Sequence, residues 1–260
     1  MDFETLEAGD GTRSQPEAFS SGGLNPAATA FFFDFDGTLA EIVPEPHLAS
    51  VNPATLAALG RLHDLAGGAI AVISGRSIAQ LDALLQPLRL PVAGVHGLER
   101  RDSGGEVHCA PIDANRHGRL AKLIDTFVAS HPGLIAETKP GSVALHYRQR
   151  PDLQSECLAL AEGLAESVGP IQLLRGKMVV EMALAFLTKG DAIADFMREA
   201  PFHGRRPWFA GDDVTDETGF AIVNAMGGIS VKVGQGTTGA NYRVADVASI
   251  AMHLNALTAA

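Results

Sequence analysis

The chain is short of cysteine, short of basic residues and without a long apolar run, and each shortage removes a class of function. Its only cysteines in 260 residues are Cys109 and Cys157. They form no C-x-x-C pair, which excludes a disulfide framework, a cysteine zinc site and a thioredoxin-like motif. Lys and Arg number 20 against 30 Asp and Glu, a formal net charge of −10. Nucleic-acid binding by phosphate neutralisation, or electrostatic docking on a membrane surface, calls for the opposite balance, so neither partner is expected. No apolar stretch reaches the length of a membrane span. The segment Met1-Asp2-Phe3-Glu4 is acidic and does not read as a secretory signal, so the expected setting is a reducing cytoplasm. Nothing in the sequence fixes an oligomeric state.

What is present is a core-forming chain, 46% hydrophobic. Residues 1–28 are rich in Gly, Ser, Pro and acids and read as a mobile tail. Ala30-Phe31-Phe32-Phe33 is then a short apolar run of the kind buried on both faces of a parallel sheet. Ala69–Ile73, Pro91–Val95, Pro207–Gly211 and Ile229–Val233 repeat the pattern, with helical spacing at Leu56, Leu59 and Leu62 and again over Glu217–Met226. This alternation predicts an α/β fold, a Rossmann-like parallel-sheet core with helices on both faces. Residues 110–184 change rhythm to helix, hairpin, helix, hairpin, with turns at Lys139-Pro140-Gly141 and Gly176-Lys177. They are expected to form an inserted α+β cap domain, the core being 29–109 and 185–260. Joints are expected near 104–111 and 183–188. Alternation in the insert places Val143, Leu145 and Tyr147 on one sheet face, with Ser142, Ala144, His146 and Arg148 on the other.

The chemistry concentrates where the core strands end. Asp34-Phe35-Asp36-Gly37-Thr38 puts two carboxylates at the end of a buried strand, where unpartnered charge is costly. Ser74 ends the second strand, Lys189-Gly190 opens a helix, and Gly211-Asp212-Asp213-Val214-Thr215-Asp216-Glu217 follows the fourth. Ligands bind at the carboxyl ends of such strands. Clustered carboxylates repel unless a cation intervenes, and oxygen-only ligands point to Mg²⁺. With Lys189 screening a phosphoryl group, the set suits phosphoryl transfer through an aspartyl-phosphate.

In this order, D-x-D-G-T, Ser74, Lys189 and G-D-D-x-x-D, the chain resembles the haloacid dehalogenase superfamily over about residues 29–252. Val72–Arg76, Gly94–Glu99, Glu137-Thr138-Lys139 with His146-Tyr147-Arg148, Gly176-Lys177 with Glu181, and Val231–Gly234 resemble its trehalose-6-phosphate phosphatase family. One departure is Val95, where the family more often has a small or polar residue. The resemblance implies hydrolysis of trehalose 6-phosphate, a small sugar phosphate, with Asp34 as nucleophile and Asp36 as general acid and then base. It implies Mg²⁺ held by Asp34, the Asp36 main-chain carbonyl and Asp212, with Asp213 or Asp216 as a further ligand. Ser74 and Lys189 would hold phosphoryl oxygens. Glu137, Lys139 and Glu181 would grip the distal glucose, and Arg76 and Arg148 are further substrate-binding candidates. His96 and Glu99 either touch substrate or shape their loop. A phosphatase for another sugar phosphate is the alternative reading.

Two other classes have some footing. Gly234-Gln235-Gly236-Thr237-Thr238-Gly239 fits the letter of a dinucleotide-binding G-x-G-x-x-G, but no acid lies about twenty residues on. A non-catalytic regulatory domain would be expected to lack acids that this chain has at Asp34, Asp36 and Asp212.

Overall fold

The computed structural model describes residues 16–184 and 187–259. The chain opens with β1 (Glu17–Ala18) and β2 (Thr29–Phe33), then α1 (Pro53–Leu65), β3 (Ile70–Ile73), α2 (Ile78–Leu84) and β4 (Val92–Gly94). An antiparallel hairpin follows, β5 (Glu99–Arg101) and β6 (Val107–Cys109). The insert runs through α3 (Ala114–Ala129), β7 (Ile135–Lys139), β8 (Ser142–His146), α4 (Gln154–Val168), β9 (Gln172–Gly176) and β10 (Val179–Ala183). The chain then returns to the first sheet with α5 (Lys189–Phe196), β11 (Arg206–Gly211), α6 (Glu217–Ala225), β12 (Ile229–Val233), β13 (Tyr242–Val244) and α7 (Val247–Thr258).

The large sheet has the order β1-β13-β12-β11-β2-β3-β4-β5-β6, parallel from β1 through β4. From β2 the chain winds one way to β3 and β4, and later returns on the other side through β11 and β12. The carboxyl ends of β2 and β11 therefore flank the switch point, where such sheets open a crevice. β2 is buried along its whole length, which explains its unbroken apolar sequence. Phe31 and Phe33 lie against Trp208, at 5.8 and 5.1 Å between ring centroids, while Phe32 faces Phe196 and Phe202 at 6.1 and 5.4 Å.

The insert forms a separate four-stranded sheet, β7-β8-β10-β9, with its own hydrophobic cluster. Val143, Leu145, Val180 and Met182 pack there with Leu120 and Ile124 of α3 and Cys157 and Ala161 of α4. Across the sheet Glu137, Ala144 and Glu181 are direct partners in one row, so the small Ala144 lies between two carboxylates.

Three stretches differ from the sequence expectations. Residues 16–28 are not a loose tail: β1 pairs with β13, and Phe19 is buried in the core cluster. The rest of the expected tail lies outside the described residues. The third strand continues into the β5–β6 hairpin, which carries too few residues to show a period. The Gly234–Gly239 segment runs into β13 rather than into a helix, and Arg243 Nη2 donates to the Gly236 carbonyl at 2.7 Å. The helix N-terminus that a dinucleotide phosphate needs does not follow it.

Candidate active site

The core elements deliver the parts of the site where strands end and where α5 begins. The Asp34 N–H donates to the Ala210 carbonyl at 2.9 Å, which fixes the end of β2 against β11. The side chain of Asp34 turns inward and is 4% exposed. Lys189 is the first residue of α5, whose N-cap Thr188 forms a capping box with Asp191. Its Nζ lies 2.7 Å from Asp34 Oδ1 and 2.6 Å from Asp216 Oδ1. After β11 the chain makes a tight turn in which Asp213 caps the Val214 N–H and Asp216 Oδ2 accepts from the Asp213 N–H at 2.8 Å. Asp216 is fully buried, whereas Asp213, with Oδ1 on the Val214 N–H, still lines the cavity.

One carboxylate oxygen from each of Asp34, Asp212 and Asp216 lies within 4.8 Å of the others. Two glycines permit that approach. A Cβ on Gly37, whose φ is +83°, would fall 2.3 Å from Asp212 Cγ, and one on Gly211 would fall 2.3 Å from Asp216 Cγ. Burial, then the Asp216 charge, push the Asp34 carboxyl well above its ordinary range, against the pull of Lys189. Asp212 is likewise raised, first by burial, although Lys177 Nζ sits 2.9 Å from its Oδ2. Crowded, buried oxygens that resist ionising together are the donor set that a hard divalent cation satisfies, and the residues present fit one. The Asp36 carboxylate is not part of that set. Arg76 holds it in a two-pronged fork, Nε to Oδ2 and Nη2 to Oδ1, both 2.7 Å.

The insert's polar face closes the other side. Glu181 is buried, with Oε2 3.0 Å from Lys139 Nζ and Oε1 accepting from Ser142 Oγ at 2.6 Å. Burial works against its charge, but Lys139 and then His96 outweigh it and hold the carboxyl well below the usual range. Glu137 Oε2 lies 2.9 Å from His146 Nε2; chiefly through this bond, against some burial and with help from Lys139, its carboxyl is pulled down to about 2. Lys139 Nζ also reaches across to the Gly75 carbonyl at 2.9 Å. Between the two sides lies a cavity of about 730 Å³. Asp34, Asp36, Arg76, Glu137, Lys139, Arg148, Lys189 and Asp212 all line it. Ser74 and Glu181 are buried behind that lining. The volume suits a ligand of disaccharide size.

Two residues expected to bind substrate are engaged with the protein itself. Besides its fork on Asp36, Arg76 donates through Nη1 to the Pro46 carbonyl at 2.9 Å. Arg148 donates to the carbonyls of Val43 at 2.6 Å and Lys177 at 3.1 Å. Both guanidiniums thus hold the Val43–Pro46 segment on the cavity wall. Ser74 Oγ accepts from the Arg76 N–H at 3.1 Å. Val95 and His96 have φ of 47° and 56°, rare for a β-branched residue and uncommon for any other, at the position of the sequence departure. His96 Nε2 lies 3.7 Å from Glu181 Oε2, and Glu99 Oε1 accepts from the Ile78 N–H at 2.5 Å, a loop-shaping role.

Sequence reasoning placed Lys232 within the Val231–Gly234 resemblance but gave it no role; its buried ammonium donates to the Asp212 carbonyl at 2.5 Å and the Val233 carbonyl at 2.7 Å. Sequence reasoning also gave no role to Gln80, which lines the cavity from α2. A lysine in a strand otherwise of Ile, Ser and Val was the available signal for the first. The second gave none.

The trehalose-phosphatase family model matches residues 32–248. Over 234 residues the chain is 45% identical to the trehalose-6-phosphate phosphatase of Escherichia coli strain K12, covering 90% of this chain and 88% of that protein. In fold it resembles the C-terminal domain of C. albicans trehalose-6-phosphate phosphatase, with TM-score 0.83 at 22% identity over 94% of this chain and 99% of that one. It also resembles a haloacid dehalogenase-like hydrolase from B. subtilis, with TM-score 0.65 at 14% identity over 88% and 99% of the two chains. With the match running from β2 to the start of α7 and so spanning every group of the site, the chain belongs to the trehalose-phosphatase family of phosphoric monoester hydrolases.

Proposed function

We propose that the protein is a Mg²⁺-dependent phosphatase that hydrolyses trehalose 6-phosphate to trehalose and phosphate through an aspartyl-phosphate on Asp34. One observation carries the reading. A buried aspartate gripped by a buried lysine lies across one cavity from a Glu137–Lys139 face of paired acceptor and donor, with Glu181 behind Lys139, which suits sugar hydroxyls. The kinship with trehalose phosphatases selects the sugar.

In the first step a carboxylate oxygen of Asp34 bonds to phosphorus as the ester P–O bond breaks, and Asp36 gives a proton to the departing sugar oxygen. In the second, Asp36 takes a proton from water. The water oxygen then bonds to phosphorus, and the Asp34–phosphoryl bond breaks to release phosphate. The Arg76 fork occupies both oxygens of Asp36, so one prong opens for Asp36 to carry and give its proton, while the other keeps the carboxyl group directed. Lys189, on the cavity lining, holds the phosphoryl oxygens, and the Ser74 hydroxyl, just behind the lining with its oxygen accepting from the Arg76 N–H, turns its proton toward them. Asp34, Asp212, Asp216 and the Asp36 main-chain carbonyl would hold the cation, which would supply neutralisation of charge on the transferring group. Residues 110–184 act as a cap that excludes water when closed over the core of 29–109 and 185–260. A reducing cytoplasm, the compartment in which Cys109 and Cys157 would stay free thiols, completes the reading.

The test is phosphate release from a panel of sugar phosphates with and without Mg²⁺, alongside Asp34→Asn. The expected result is a preference for trehalose 6-phosphate and no turnover by the variant. Near-normal release by Asp34→Asn sinks the nucleophile assignment, and a flat substrate profile sinks the sugar.

A further inference from the structure

Gln80 stands on α2 in the core, yet its side chain ends on the cap. Its Oε1 accepts from the Ser77 N–H at 2.8 Å as half of the capping box that starts α2. That bond fixes which way the amide faces, because the other end must then be the NH₂ group. The NH₂ group donates to Glu137 Oε1 at 2.9 Å. His146 occupies the other oxygen of Glu137 from within the cap. The carboxylate is therefore aimed from two sides, and one of them belongs to the core. Nearby on the same core turn, the Gly75 carbonyl takes Lys139.

We propose that Gln80 is a positioning residue for sugar recognition: its amide, locked by the helix cap, holds the Glu137 carboxylate in its sugar-reading direction only when the cap is closed. The inference rests on the functional reading above and adds to it a residue outside the cap. A disaccharide phosphate would feel the loss of Gln80, and a small phosphate ester that never reaches Glu137 would feel it much less. Sugar binding and closure would then be one event, since Glu137 reaches its final direction only against the core.

Gln80→Glu tests this cleanly. It keeps an acceptor for the Ser77 N–H, and so the helix cap, but turns a carboxylate toward Glu137. The measurement is kcat and KM for trehalose 6-phosphate and for p-nitrophenyl phosphate with Mg²⁺ present, with Ser77→Ala as the control for a weakened helix cap, since it removes the 3.2 Å bond from Ser77 Oγ to Gln80 Oε1 but keeps the Ser77 N–H bond that orients the amide. Hydrogen bonds to charged groups are strong enough that the ratio of the two kcat/KM values should fall about tenfold or more in Gln80→Glu, mainly through KM for the sugar phosphate. Ser77→Ala should leave the ratio at the wild-type value. A wild type that prefers the disaccharide phosphate and keeps that preference in Gln80→Glu overturns the inference alone, as does a Ser77→Ala ratio that falls equally. A wild type without the preference overturns the functional reading as well.

Discussion

At the scale of single residues, the site is a problem of packing like charges, and the glycines are as necessary as the acids. Asp34 and Asp36 were legible in the sequence because two carboxylates end a run that is otherwise wholly apolar, and only a site explains them there. Gly37 is legible only in part. A turn would accept it, but what requires it is Asp212, brought beside it from 175 positions along the chain, with the carboxylate where a Cβ would stand. Gly37→Ala should therefore cut turnover at least a hundredfold by displacing Asp212, while the strain of Ala at positive φ costs only about 1–2 kcal/mol of stability. Phosphate-release kinetics and a thermal melt check the two halves; a variant with wild-type kcat would show that the Asp212 position is not needed. Which of Asp213 and Asp216 is buried beside Asp34 was not legible, because both have the right spacing and both side chains cap the short turn. Gln80 was illegible for a different reason: its partner, Glu137, becomes a neighbour only when the cap folds onto the core.

At the scale of elements, the strands that carry the site announced themselves and the strands that flank them did not. β2 and β3 are buried on both faces and read as continuous apolar runs, as does β11 after its exposed Arg206, while β12 is equally buried but carries Ser230 and Lys232 among its valines and isoleucine. β1, β5, β6 and β13 have two or three residues each, too few for any period, and their existence is decided by the neighbour they pair with. β1 shows how a polar, Gly- and Ser-rich context can hide an anchored segment. Phe19, the residue after it, packs on Trp208 at 5.6 Å, Tyr242 at 6.1 Å and His253 at 4.8 Å. Phe19→Ala should cost about 3 kcal/mol, a fall in Tm of roughly 6–12 °C for a chain of this size, with kcat unchanged because the site lies on other strands. A melt unchanged within a degree would mean that β1 contributes nothing to the fold.

At the scale of the whole molecule, two hydrophobic clusters meet across an interface of polar contacts, among them Lys139 to Gly75, Gln80 to Glu137, Arg148 to Val43 and Lys177 to Asp212. Such an interface parts more easily than either core, and the acids beneath it bind the two halves to one electrostatic account. Asp34 and Asp212 both have carboxyl pKa values raised by burial and by neighbouring acids. A raised folded-state pKa means that the folded protein holds its proton more tightly than the unfolded chain does. The resulting stability is complete below the ordinary carboxyl range and is lost as pH rises through the raised value. Without a cation the protein should therefore lose stability from this site as pH climbs from acid toward neutrality. A cation competes with those protons and repairs the loss, so its benefit should grow in the same direction. Melts after stringent chelation, repeated with added Mg²⁺ at pH 5, 6, 7 and 8, should show a gain in Tm that increases with pH, together with phosphatase activity that returns only with the metal. Asp34→Asn removes one of the repelling carboxylates, so in this variant the gain should be smaller and flatter with pH. A gain independent of pH, or full activity in chelator, would mean that the three carboxylates do not form a metal site.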